Sequence, residues 1–250
     1  MLFRSSGGSG SLALVAATAP PRGETITVAL EQDVEDLTRT HNAATHLGHQ
    51  VEIEVATLEP RTLASELASR FDEPIADPAA VSAYAVFTAA RAHGSAAIAG
   101  HGASTLLGAA PRHTVWDGSH RRSLYLRAFA WEVRDANPRS RYQELCNARP
   151  HAGVADRSMY VQLRSVLPES TLLLTERMSE MAGLSLRLPF LDRRVVELVA
   201  SMPSSVRLGT ENTQPLLTAM LAQRLPATLL PSAGASRRTP EWLRAALPAM

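Results

Sequence analysis

Hydrophobic positions in the first half of the chain alternate between short strand-like runs and longer helix-like runs. At residues 51–55, Val51, Ile53 and Val55 alternate with two glutamates, which predicts a half-exposed strand near a sheet edge. The other predicted elements are strands at 1–5, 25–30 and 95–99 and helices at 11–19, 36–47, 63–71 and 79–93. This alternation is typical of α/β proteins, and we predict a doubly wound, mainly parallel sheet.

The second half of the chain has a different pattern. Beyond about Trp116 the strand signals disappear, and apolar residues recur at helical spacing, as at Val195, Val199 and Met202. We therefore predict an α/β part at residues 1–115, followed by a helical cluster at 116–250 that belongs to the same domain.

Two glycine-rich segments follow predicted strands. SSGGSGS ends at Ser11, just before a predicted helix, and Gly100-His101-Gly102 follows the strand at 95–99. Loops at the carboxyl ends of parallel strands form the ligand crevice of open α/β sheets, and backbone N–H groups at a helix start can bind phosphate. A flexible turn is the alternative for SSGGSGS, and the chain lacks the G-x-x-x-x-G-K-[ST] motif of Walker-type kinases and GTPases.

Composition excludes several classes of function. A formal net charge of +1 gives no electrostatic footprint for nucleic acid, and no run of residues is apolar and long enough to span a membrane. All 25 Lys and Arg residues are arginines, which excludes chemistry that requires an internal lysine. Because Cys146 is the only cysteine, no internal disulfide can form, and we expect a reducing, cytoplasmic location.

Several ordered segments resemble the synthetase domain of the glutamine-dependent asparagine synthetases, a family related to β-lactam synthetases and lasso-peptide cyclases. They are SGGSGS from Ser6, DEPIADP from Asp72, GHGAS from Gly100 and ERMSEMAGLSLRLPFLD from Glu176. The resemblance implies an ATP-pyrophosphatase (PP-loop) fold. It also implies a reaction in which ATP adenylates a carboxylate, pyrophosphate leaves, and ammonia or an amine attacks the acyl-adenylate.

The resemblance also implies which residues bind ligands. The family's SGGxDS loop, which binds pyrophosphate, corresponds to residues 6–11, and the strand that contacts adenine contains Val28. The implied nucleotide-binding residues are Ser6, Gly7, Gly8, Ser9, Gly10, Ser11, Val28 and Gly100, and the implied substrate-binding residues are Asp72, Glu73, Asp77 and Arg187. Structural roles remain open for the second group: the aspartates could cap helices, and Arg187 could pair with Glu176 or Asp192.

The chain departs from the family at its charged positions. Gly10, Ser104 and Thr105 stand where the family has acidic residues, and His101 replaces a fourth, so the Mg²⁺ expected for the family loses its carboxylate ligands. His101 by itself could be a general base or a metal ligand, although a lone histidine is more often neither. The family lysines are also absent: Gln214 occupies one position, and the other falls near residues 232–234. No catalytic residue can be assigned, and we expect ATP binding and catalysis to be weakened or lost.

Three hypotheses follow for the function. The chain is a nucleotide-binding pseudoenzyme, an active amide ligase of specialised metabolism that has recruited other groups, or a non-catalytic partner of an intact synthetase. The family's glutaminase domain, which begins with a nucleophilic cysteine, has no counterpart in this sequence. Nitrogen would therefore come from free ammonia, an amine substrate or a separate glutaminase.

Overall fold

The fold was analysed in a computed structural model of the chain. It describes residues 2–3, 9–18, 25–30, 34–49, 51–56, 66, 69–70, 79–107, 144–145, 147–149, 152–207 and 214–230. The predicted helix at 63–71 and the predicted loop at 72–78 lie largely or wholly outside these residues.

The strands form one parallel sheet. They are β1 (Leu2–Phe3), β2 (Thr25–Leu30), β3 (Val51–Ala56), β4 (Ala96–Ile98) and β5 (Ser185–Arg187). Their order in the sheet is β3-β2-β1-β4-β5, and every pairing is parallel. Strand β1 therefore lies between β2 and β4, which brings the loops after β1 and β4 to the same edge of the sheet.

Helices make up most of the rest of the described chain. They are α1 (Ser9–Ala17), α2 (Val34–His46), α3 (Ala79–His93), α4 (Ala103–Leu107), α5 (Val154–Arg164), α6 (Leu173–Met181), α7 (Arg193–Ser201), α8 (Ser204–Arg207) and α9 (Pro215–Ala222). A π-helical stretch, Leu167–Leu172, precedes α6, and single 3₁₀ turns occupy Pro189–Leu191 and Ala227–Leu229.

The α/β class predicted from the sequence is confirmed, with one correction. Strands β2 and β3 and helix α3 match their predicted positions, and β3 is at the sheet edge, as expected. Strand β5 lies in the second half of the chain, where no strand was predicted. Its three residues, Ser185–Arg187, are too few to show the two-residue period by which a strand is recognised, and pairing with β4 creates it.

Two apolar clusters support the edge of the sheet where the glycine loops lie. Helices α3 and α6 pack together through Phe87 and Met178, both 0% exposed. Helix α1 is buried over six consecutive residues, 11–16, because α4 and α9 pack against it in addition to α2. A helix that is apolar all round is suited to such an enclosed position.

Candidate functional site

The two glycine-rich loops meet at the start of helix α1. A β-carbon added to Gly10 would lie 2.7 Å from the Ala103 Cβ and 3.1 Å from the Gly100 carbonyl oxygen. A β-carbon added to Gly100 would lie 2.8 Å from both the Gly10 carbonyl carbon and the Ser11 nitrogen. We call this contact of Gly10, Gly100 and Ala103 the glycine junction; it brings together two segments that are about 90 residues apart in sequence.

Gly102 fixes the other end of the loop after β4. Its φ of +88° is in the left-handed region, which glycine adopts without a steric penalty. A β-carbon there would also collide with Leu191, in the 3₁₀ turn Pro189–Leu191. The loop is thus held between α1 on one side and the RLPFLD segment on the other.

Helix α1 is joined to α9 at both of its ends. The Ser9 hydroxyl donates a hydrogen bond to Oε1 of the buried Gln214, which directly precedes α9. Past the end of α9, Arg224 donates to the Ala16 carbonyl oxygen, a group that the end of a helix leaves without an intrahelical partner. Gln214, which is predicted to occupy the position of a family lysine, therefore contacts the glycine-rich segment at Ser9.

His101 is held by helix α6. The Thr175 hydroxyl donates to the Thr171 carbonyl oxygen at 2.6 Å and also lies 3.2 Å from the His101 Nε2, within hydrogen-bonding distance. Thr175 is buried, and its contact with His101 was not anticipated, because the two residues are separated by 74 positions.

Ser104 and Thr105 lie in the first turn of α4. Ser104 is exposed and Thr105 is half-buried. The positions predicted to depart from the family's acidic pattern therefore differ in their surroundings: Gly10 lies against Ala103 and Gly100, whereas the side chain of Ser104 is exposed.

Arg187 ends β5 with an exposed side chain, and its carbonyl oxygen accepts from the Ala99 backbone N–H at 2.9 Å. The suggested partner Asp192 instead pairs with Arg194, whose Nε lies 3.0 Å from Oδ1, and caps α7 by accepting from the Arg194 backbone N–H. Hydrogen bonds from Arg194 lower the pKa of Asp192 below its usual value. The structure therefore pairs Asp192 with Arg194 and not with Arg187.

The structure describes only part of the predicted site. Ser9, Gly10, Ser11 and Gly100 come together, and the backbone of Val28 lies in β2, paired with β3. Ser6, Gly7, Gly8, Asp72, Glu73 and Asp77 lie outside the described residues, so their predicted roles stay predictions. Sequence reasoning missed Ala103 and Thr175 because an alanine and a threonine give no chemical signal of their own.

The chain was compared with models of known protein families. The family model for asparagine synthase matches residues 6–248. The chain belongs to this family. Membership carries ATP-dependent amide formation as the family's activity. No match to a curated protein was found. Over the residues that the structure describes, no helix has the length and apolar character needed to cross a membrane.

The described residues suit one of the family's two ligands, the nucleotide, better than the other, the metal ion. The first turn of α1, at Ser9 and Gly10, has backbone N–H groups without intrahelical acceptors, a donor set that suits phosphate. The metal has no comparable set: in the described part of the chain, no three His, Cys, Asp or Glu side chains converge. Gly10, Ser104 and Thr105 provide no carboxylate, and the space beside Gly10 is filled by Ala103. These residues do not fit Mg²⁺.

Proposed function

We propose that this asparagine synthase family member is a nucleotide-binding protein in which the family's ligase chemistry is weakened or lost. The observation that carries the proposal is the chemistry of the residues: a carboxylate is missing at position 10, as it is at positions 104 and 105, and in the described part of the chain no three His, Cys, Asp or Glu side chains converge. The family's activity depends on neutralising the charge of a triphosphate, and without a carboxylate these positions cannot bind the metal ion that does so.

Nucleotide binding is supported by the sheet and by helix α1. The strand order β3-β2-β1-β4-β5 reverses direction between β1 and β4, where a doubly wound fold binds its ligand. The start of α1 follows β1 at this point and offers backbone donors and the positive end of the helix dipole. ATP would be held through Ser9, Gly10 and Ser11, together with the preceding loop residues and Gly100.

Binding through backbone donors should be weak and should depend little on Mg²⁺. The Ser9 hydroxyl already has a partner in Gln214, so it adds little to a phosphate site unless that contact breaks. Calorimetric titration with ATP, with and without magnesium, measures both properties. Inorganic pyrophosphate should compete with ATP, and adenosine should compete less, if the phosphates bind at the start of α1.

The chemistry is tested by pyrophosphate release from ATP in the presence of aspartate and ammonia. Loss of one preorganised charge-stabilising group typically lowers a rate by about 10²- to 10³-fold, and the chain has no lysine and no carboxylate at positions 10, 104 and 105. We expect a rate at least about 10³-fold below that of an intact family member assayed in parallel. Turnover close to that of the intact enzyme would reject the proposal and favour an active ligase that uses other residues.

A further inference from the structure

The contact between Ser9 and Gln214 depends on both residues as they stand in this chain. Ser9 lies at the x of SGGxDS, a position that the motif leaves open, and Gln214 is predicted to replace a lysine. The Ser9 hydroxyl donates to Gln214 Oε1, which is 205 positions away in sequence. A lysine has no acceptor and could not receive this hydrogen bond.

Gln214 is held beside the first residue of α1. It is 6% exposed, and the proline that follows it restricts its backbone. Helix α9, which begins at that proline, packs against α1 through Leu217 and Leu221, which are 4% and 0% exposed. The packing of α9 therefore fixes the place of the carboxamide at the start of α1.

The Ser9 hydroxyl has a single proton to donate. At the start of α1 that proton can go to a phosphate oxygen or to Gln214 Oε1, and the structure gives it to Gln214. A hydrogen bond of ordinary net strength keeps about five of every six molecules in the bonded state, so a ligand that needs the hydroxyl binds about sixfold more weakly.

We propose that Gln214 limits the affinity of the nucleotide site by competing with the phosphates for the Ser9 hydroxyl. In the unliganded chain the hydroxyl is bonded to Gln214, and phosphate binding turns it from the carboxamide to the ligand. The inference rests on the proposed nucleotide site and adds a residue that weakens it.

The competition is tested by calorimetric titration of the parent, Gln214→Met, Ser9→Ala and the double variant with inorganic pyrophosphate. Methionine has a similar length to glutamine but only a weak acceptor. We expect Gln214→Met to bind pyrophosphate about three- to sixfold more tightly than the parent. In the Ser9→Ala background the same substitution should change the affinity by less than about twofold, because the contested donor is gone. An undiminished gain in that background would overturn the inference.

Arg224→Met is the matched control. Arg224 donates to the Ala16 carbonyl oxygen and so connects α9 to the other end of α1. Its loss should leave the affinity for pyrophosphate within about twofold of the parent value. A gain equal to that of Gln214→Met would trace the effect to loosened helix packing and would contradict the competition.

Thermal unfolding of the same variants tests the contact without a ligand. Loss of the hydrogen bond should lower the Tm of Gln214→Met and of Ser9→Ala by about 2–4 °C each, and the double variant should lose less than the sum. Additive shifts would show that the two side chains do not interact and would overturn the inference.

The titrations distinguish failure of the inference from failure of the nucleotide site. If the parent binds pyrophosphate and Gln214→Met binds it equally or more weakly, the inference alone is wrong, since Gln214 then does not oppose the ligand. If neither the parent nor any variant binds pyrophosphate or ATP, the proposed site is wrong and the inference with it.

Discussion

The sheet edge at the glycine junction and the contact between α5 and α8 differ in the polar groups that they contain. At the crevice, the described positions hold serines, a threonine, glycines, a glutamine and a histidine, and the backbones of Gly10 and Gly100 leave little room for a β-carbon on either residue. Between α5 and α8, the side chain of Arg207 is buried, pairs with Asp156 and donates to the Met202 carbonyl oxygen at 3.0 Å. Its Nη1 also lies 2.7 Å from the Met159 sulfur.

The difference shows where this chain has retained a buried charge. A buried arginine is tolerated only when its partners replace water, so Arg207 requires Asp156 to stay in place. Among the described residues of the crevice there is no buried charged side chain, and the Gly10 and Gly100 backbones lie close together. Small residues allow the elements of the crevice to approach closely, whereas α5 and α8 are connected by hydrogen bonds to the guanidinium of Arg207.

The largest effect on stability should come from breaking the buried pair. Asp156→Ala leaves the Arg207 guanidinium without its carboxylate, and we expect the free energy of unfolding to fall by about 3 kcal/mol. Urea unfolding measures this. The matched control is Glu197→Ala, which breaks the Arg193 pair on α7, where the two side chains are 89% and 61% exposed. That control should change the free energy by less than about 0.5 kcal/mol, and similar losses for both variants would contradict the contrast.

A methyl group at the glycine junction should have the next largest effect. In Gly100→Ala the new β-carbon meets two backbone atoms at 2.8 Å, neither of which belongs to a flexible side chain. We expect a loss of about 2–3 kcal/mol in urea unfolding. Gly153→Ala is the control, because its nearest neighbour is Asp156 Oδ2 at 3.7 Å, an ordinary contact. A Gly100 variant as stable as the Gly153 variant would show that the loops do not touch.

Removing the Thr175 hydroxyl should have a smaller effect. Thr175→Val keeps the shape of the side chain but leaves the His101 Nε2 without this hydrogen-bond partner, at an expected cost of about 1–2 kcal/mol. Thr175→Ser retains the hydroxyl and should lose less. Thermal unfolding of both variants distinguishes the hydrogen bond from methyl packing, and the reverse order of stability would argue that packing dominates.

A third polar contact, between α3 and Glu66, adds a pH test. The Tyr84 hydroxyl donates a hydrogen bond to Glu66 Oε1 at 2.8 Å. Burial is the main cause that raises the pKa of Tyr84 above 10.0, and the interaction with the Glu66 carboxylate is the second. Between the two pKa values, Tyr84 keeps its proton in the folded state and loses it in the unfolded state. The contribution of protonated Tyr84 to the free energy of unfolding is therefore complete below about pH 10 and is lost as the pH rises through the folded-state pKa. Urea unfolding of the parent and Tyr84→Phe should show a stability difference that shrinks above about pH 10. A difference that grows there would reverse the sign.

The smallest effect is expected on the outer side of α4. Ser104→Asp with Thr105→Glu adds two charges at an exposed and a half-buried position near the start of a helix, where negative charge is favourable. The free energy of unfolding should change by less than about 0.5 kcal/mol. A loss as large as that of Gly100→Ala would mean that both sides of the loop are tightly packed, and the difference between position 10 and positions 104 and 105 would disappear.

Much of the fold could be predicted from local pattern. The alternation at 51–55 identified β3, and the apolar content of 79–93 identified α3 with its observed bounds. Helix α1 begins at Ser9, two residues before its predicted start, since a glycine in the first turn hid the beginning of the helix. Strand β5 escaped prediction because its hydrogen bonds to β4, and not its three residues, define it.

The sequence by itself determined the family, the α/β class and the absence of carboxylates at positions 10, 104 and 105, because each depends on residue identity and local spacing. Only the tertiary structure decided that Gly10 lies against Ala103, that Gln214 receives the Ser9 hydroxyl, and that Thr175 holds His101. These contacts join residues far apart in the chain, with side chains too ordinary to indicate a partner. Strand order and helix packing bring them together, and their energy depends on distances of a few tenths of an ångström, which no local pattern encodes.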